Sequence, residues 1–294
     1  MGKPTNRMLS ISWWTKISMS SSLRDFDRLE DRLRQHRQVD KTAILIVEGA
    51  DDLLLLRDLL PDQSIFAADG KRNALAAEEA LRSWDVVGVR ALVDADFDEP
   101  ELGRTGSNVL LYDGRDLEGM LVNLGVLSHI LEHQGSAAKL SRLGGANALC
   151  QRLIVQAELI AGIRDANHRF HWGLRFDGID IASKVDRKTV ELDVSRLIAA
   201  LVQHSETEAT VALIKGAGDS ASDGRGPRGR DVLVMAGVAL RQLAGGLQGA
   251  ATTVDVLGGQ LRSSAGYFVA KSQWLSALRQ TLGDAKAELE VVTA

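Results

Sequence analysis

The chain has 294 residues, of which 45% are hydrophobic and 25% charged, proportions that exclude disorder, collagen and coiled coil as descriptions of the whole. The net charge of −4 excludes a uniformly basic nucleic-acid coat. A single cysteine, Cys150, excludes an internal disulfide framework and any multi-cysteine zinc module, and fits a reducing cytoplasm.

The first 22 residues carry Lys3, Arg7 and a short apolar patch broken by Ser10, Ser12 and Thr15, too short for a signal peptide. They are read as a weakly structured leader, or as sequence upstream of a start at Met19. Met8, Trp13 and Trp14 either form a partner-binding patch or simply pack. No apolar run reaches the ~18 residues of a membrane span, so no membrane contact is expected.

Leu23 to Arg37 has apolar residues at helical spacing and is expected to be an amphipathic helix. The run TAILIV at 42–47 suits a strand buried on both faces of a parallel sheet. A helix over 51–60 stopped by Pro61, a short strand at 64–67, a helix at 73–84 and strands at 86–93 and 108–112 follow. Strands alternating with helices imply right-handed crossovers and an α/β fold with a parallel sheet flanked by helices. The remainder reads as a mainly helical C-terminal part. It has helices within 126–163 interrupted at Gly144-Gly145, one or two strands within 170–181, helices at 194–204 and 232–247, a glycine-rich loop at 216–229 and a terminal helix at 268–282. The expected division is 1–41 leader and helix, 42–124 α/β domain, and 125–294 mainly helical region.

In open parallel sheets ligands gather outside the carboxyl ends of the strands. Here the first strand ends in Glu48-Gly49, the strand at 86–93 runs into Asp94, Asp96 and Asp98, and the strand at 108–112 is followed by Asp113, Asp116 and Glu118. Carboxylates gathered without compensation repel and raise one another's pKa. A hard divalent ion such as Mg²⁺ removes that cost, and two ions can stabilise both oxygens of a phosphodiester exchange. Asp113 and Asp116 are read as turn residues, and Asp52 equally as a helix-start residue. The loop KGAGDSASDGRGPRGR at 215–230 offers glycine amides and Arg225, Arg228 and Arg230 to phosphate, or is a plain linker. It lacks the phosphate-binding-loop pattern. Lys215 is a candidate to face a scissile phosphate. His168 and His171 are read as structural or surface residues, and Cys150 as buried.

ILIVEG at 44–49 and ALVDAD at 91–96 together resemble a Toprim domain, an apolar strand ending in Glu-Gly followed later by one ending in Asp-x-Asp. VEGADD at 47–52, YDGRDLEGML at 112–121 and RGRDVL at 228–233 are similar to segments of the stand-alone nucleases of the overcoming-lysogenization-defect type, including the effector of the PARIS anti-phage system. Arg230 stands where that family has histidine.

The resemblance implies a Toprim-like sheet and a Mg²⁺-dependent nuclease, with Mn²⁺ as a substitute, acting on RNA (tRNA among its targets) or DNA. It implies Glu48 as metal ligand or general base, Asp94 and Asp96 as metal ligands, and Asp52, Asp98 and Glu118 as completing a second metal site. An ABC-type ATPase is the implied partner, and a homodimer is left open. Two other readings stay open: a haloacid-dehalogenase-type phosphatase with Asp94 as nucleophile, and a non-catalytic Toprim-like binding module. The near-neutral total charge conceals an asymmetry compatible with this chemistry, since residues 43–118 hold 17 acids and 7 bases.

Overall fold

The computed structural model describes residues 28–97, 107–217 and 223–293. Asp98, Met8, Trp13 and Trp14 lie outside them. Four parallel strands, β1 (Ile44–Val47), β2 (Ser64–Ala67), β3 (Val89–Val93) and β4 (Val109–Leu111), form one sheet in the order β2-β1-β3-β4. The helices α1 (Leu29–Val39), α2 (Ala50–Leu56) and α3 (Lys71–Ser83) lie in the α/β part, and α4 (Leu117–Asn123) follows the last strand.

β1 and β3 are buried along their whole length, whereas β2 and β4, at the edges, are half-buried. The side-chain period of two then splits the central strands between two cores. Ile44, Ile46, Ala91 and Val93 pack with α1 and α3 through Leu33, Ala77 and Leu81. Leu45, Val47 and Leu92 face the other way, into a larger core shared with the helical part. That double covering is why the strands read as continuous apolar runs rather than as alternating ones.

The helical part comprises α5 (Val126–Gln134), α6 (Ala137–Arg142), α7 (Ala146–Phe170), α8 (Val194–His204), α9 (Val211–Ala217), α10 (Gly229–Val238), α11 (Val254–Ser264), α12 (Gly266–Ala270) and α13 (Gln273–Thr293). The 25-residue α7 is its axis, packing on α5, α9 and α10. The last helix returns to the sheet: Arg90 on β3 pairs with Glu288 at 2.5 Å, and Trp274 donates to the Leu111 carbonyl at 3.2 Å while stacking on Tyr112. Among the described residues no helix is long and apolar enough to cross a membrane.

Several expectations are corrected. Residues 170–181 contain no strand: α7 runs on to Phe170, and a turn and a 3₁₀ segment (Ile181–Lys184) follow. The helix expected at 232–247 begins at Gly229 and gives way to a π turn at Ala239–Leu243. The terminal helix is broken at Lys271 and Ser272, and its second part reaches Thr293. α11 was not expected, because Gly258-Gly259 in its middle weakens the helical signal.

Candidate active site

The strand order contains a reversal at β1. The chain moves from β1 outward to β2, then crosses back to β3 on the other side. The carboxyl ends of β1 and β3 therefore flank a topological switch point, where open α/β sheets bind ligands. Register places Val47 opposite Leu92, so Glu48 and Asp94 leave the sheet side by side. Glu48 Oε1 accepts from the Asp94 amide at 2.6 Å.

After Asp94 the chain bends sharply: Asp96 has φ of 46°, in the left-handed region that aspartate tolerates better than most residues. Arg115 clamps this bend. The amides of Ala95 and Asp96 donate to the Arg115 carbonyl at 2.9 and 3.1 Å, and the fully buried Arg115 guanidinium donates back to the Asp96 carbonyl while lying 3.8 Å from the centre of the Phe97 ring. The same guanidinium reaches the Gly226 carbonyl at 2.8 Å and Asp223 at 2.6 Å. One side chain thus ties the loop that precedes α10 to the end of β3.

That loop is drawn in further by a close approach of α10 to α4. A Cβ at Gly229 would overlap the backbone of Glu118 and Gly119. The contact lets the Asp116 carboxylate cap α4 through the Gly119 amide at 2.7 Å and also accept from the Gly229 amide at 2.9 Å. Arg228 is carried to 3.7 Å from both Asp96 and Asp116. From the opposite side, Arg262 on α11 bridges Glu118 at 2.5 Å and Asp51 at 3.0 Å. The result is a cleft of about 270 Å³, with Asp94, Asp116, Glu118 and Asp51 on its walls together with Arg228, Arg230 and Arg262.

Charge and burial conflict at the centre of this cleft. The Asp94 carboxyl is pushed up to about 8 by burial, then by Glu48, Asp116, Asp96 and Asp52. Burial also raises Glu48, partly offset by the Asp94 amide, and lifts Asp116 to about 6 against the pull of the Gly229 and Gly119 amides. For Arg228, burial disfavours the charged guanidinium, but Asp96 and Asp116 outweigh it and raise its pKa.

Of the residues expected in the site, Asp94, Glu118, Arg228 and Arg230 line the cleft, and Glu48 and Asp96 adjoin it through the Asp94 amide and Arg228. Asp52 is there for another purpose: it is buried, and its two oxygens accept from the Gly49 amide at the start of α2 and from the Tyr112 hydroxyl. Arg225 and Lys215 are not among the cleft residues. Lys215 is exposed on α9, a helix that packs on α7 and α8. Asp116, read from the sequence as a turn residue, is a buried wall of the cleft, and Asp51 and Arg262 join it unannounced. His168 and His171 are exposed and Cys150 is buried, as expected.

As the side chains stand, no group of three or more His, Cys, Asp or Glu among the described residues is placed to hold a metal ion. The donors at the switch point are nevertheless all carboxylate oxygens, the chemistry of a hard cation. No protein-family model matches this chain, and no curated protein sequence matches it.

Proposed function

We propose that the chain is a metal-dependent nuclease that hydrolyses phosphodiester bonds of RNA, with tRNA a candidate target, or of DNA. The observation that carries this reading is the seating of Asp94 at the switch point, between Glu48 and Asp116 and in a cleft whose other wall is arginine. A buried carboxylate so crowded is stable only protonated or beside a cation. Mg²⁺ suits it, because that ion uses one or two protein carboxylates and keeps several waters, and so does not require three converging ligands. Glu48 and Asp94 are the residues that would hold it, with Asp96 adjacent. Support for a second ion is weaker: Asp52 is spent on Gly49 and Tyr112, and Glu118 on Arg262.

When bound, the ion supplies Lewis-acid polarisation of a phosphoryl oxygen and a more acidic water. The chain's own residues supply the rest. Glu48 stands against the Asp94 amide, where it either holds the ion or takes the proton of the attacking water. Arg228, Arg230 and Arg262 offset the charge of a phosphate entering the cleft. Arg115 holds the bend at Asp96 and the Arg228 loop in one arrangement, so the groups need not reorganise during reaction. The resemblance to PARIS-type effectors extends the proposal to an anti-phage role under a partner ABC-type ATPase.

The test is incubation of the purified chain, alone and with a co-purified ATPase, with tRNA, plasmid and single-stranded DNA in Mg²⁺, Mn²⁺ or chelator. Cleavage that needs the metal and is abolished by Glu48→Ala is expected. Equal cleavage by wild type and Glu48→Ala would refute the proposal. A phospho-aspartate trapped at Asp94 would instead identify the phosphatase. Full phage suppression by an Asp94→Ala/Asp96→Ala chain would identify the non-catalytic module.

A further inference from the structure

The carboxylate cleft does not end at its arginines. Arg228, Arg230 and Val254 form a shared wall with a second compartment of about 390 Å³. That volume is within the roughly 300–1,000 Å³ of small-molecule sites. One part of its lining is rigid. Arg164 on α7 is fixed by two hydrogen bonds to the buried Asp231, at 2.9 and 3.1 Å, and its guanidinium lies 4.0 Å from the centre of the Phe176 ring, holding that ring in place.

Other parts have donors to spare. The Arg241 side chain makes no ion pair or hydrogen bond among the described residues. Arg228, 35% exposed, lies 3.7 Å from Asp96 and Asp116, beyond hydrogen-bond reach of both. Arg230 is 3.4 Å from Asp255, but both side chains are mostly exposed, so water and salt screen that pair and an incoming phosphate can replace it.

A half-buried aromatic ring with the unpaired Arg241 and the loosely paired Arg228 and Arg230 around it, in a lining that also holds Asp177 and Asp180 and shares a wall with a site for phosphodiester cleavage, matches one kind of ligand: a nucleotide whose base stacks while its phosphates meet arginine. A paired base is already stacked inside its duplex and is not free to enter a compartment. We propose that this second compartment seats an unpaired nucleotide adjacent to the scissile phosphate, making single-stranded nucleic acid, or a single-stranded loop, the substrate class. The proposal rests on the nuclease reading of the neighbouring cleft.

The test measures fluorescence anisotropy of a short single-stranded RNA, the same sequence as DNA, and its duplex, in chelator so that nothing is cut. Phe176→Ala and Arg241→Gln are each expected to weaken single-strand binding at least fivefold, leave the weaker duplex binding unchanged and melt with the wild type. The two single-stranded arms identify the sugar. Wild-type affinity in both well-folded variants, a preference for the duplex, or no binding by the wild type would overturn the proposal. Metal-dependent, Glu48-dependent cleavage alongside unchanged binding would sink this inference and leave the nuclease reading intact. Variant-sensitive binding without any cleavage would do the reverse.

Discussion

Replacing Asp94 by asparagine should make this protein more stable. The carboxyl is held at about 8 in the fold against an ordinary value of 3.8, so at neutral pH the folded chain keeps a proton there that the unfolded chain releases. A group whose folded pKa is raised in this way costs stability progressively as pH rises from about 4 to about 8 and costs nothing below that window. One pKa unit is about 1.4 kcal/mol, so at pH 8 the cost is about 5 kcal/mol, on the order of half of that once neighbouring groups relax. The asparagine would keep the oxygen that accepts from the Leu117 amide at 3.2 Å while lacking the charge that confronts Glu48 and Asp116. For a chain of this length roughly 2 °C accompanies each kcal/mol. Thermal melting in chelator should therefore show Asp94→Asn about 5–10 °C above wild type at pH 8, with the gap closing by about pH 4. Added Mg²⁺ should raise the wild type and not the variant, because only the wild type retains the ligand. A variant that melts below wild type at pH 8, or a gain indifferent to pH, would refute the electrostatic reasoning.

Arg115→Met should destabilise the fold by about 3–5 kcal/mol in urea titrations, because Asp223 and the carbonyls of Asp96 and Gly226 lose a buried cation. Gly229→Ala should cost about 1–3 kcal/mol and abolish cleavage together, since its Cβ forces α10 from α4; Gly259→Ala, whose Cβ meets nothing, should stabilise by roughly 0.5–1 kcal/mol in the same titration. If Arg228, Arg230 and Arg262 each meet a phosphate, single-strand affinity should fall about 20-fold between roughly 50 and 200 mM salt; a flat response would show that the arginine wall does not contact the backbone.

The sheet was legible because its signal is local. Runs such as ILIV at 44–47 and the Ala- and Leu-rich stretch of α3 declare their elements, and the order of elements implies a parallel sheet. Glu48, Asp94 and Asp96 were legible for the same reason, as polar residues directly after apolar strands. Asp116 was not, because its role depends on Gly229, 113 residues away, whose amide it accepts. Arg262 was hidden in a helix that its own glycines disguise, and its partner Glu118 lies 144 residues distant. Lys215 was read at the end of the apolar run VALI, beside the arginine loop; that run is helix α9, which packs on α7 and α8. The aromatic and β-branched residues of 170–181 resembled strand material, yet they close the end of a long helix.

The central claim is that Glu48 and Asp94 together hold a divalent cation, and calorimetric titration of metal-stripped protein with Mn²⁺ tests it most directly. The wild type should bind at least one ion and release a proton below pH 8, while Glu48→Ala and Asp94→Asn should each lose at least tenfold in affinity yet remain folded. Mn²⁺ binding of equal strength in wild type and both variants, or none in the wild type, would contradict the account.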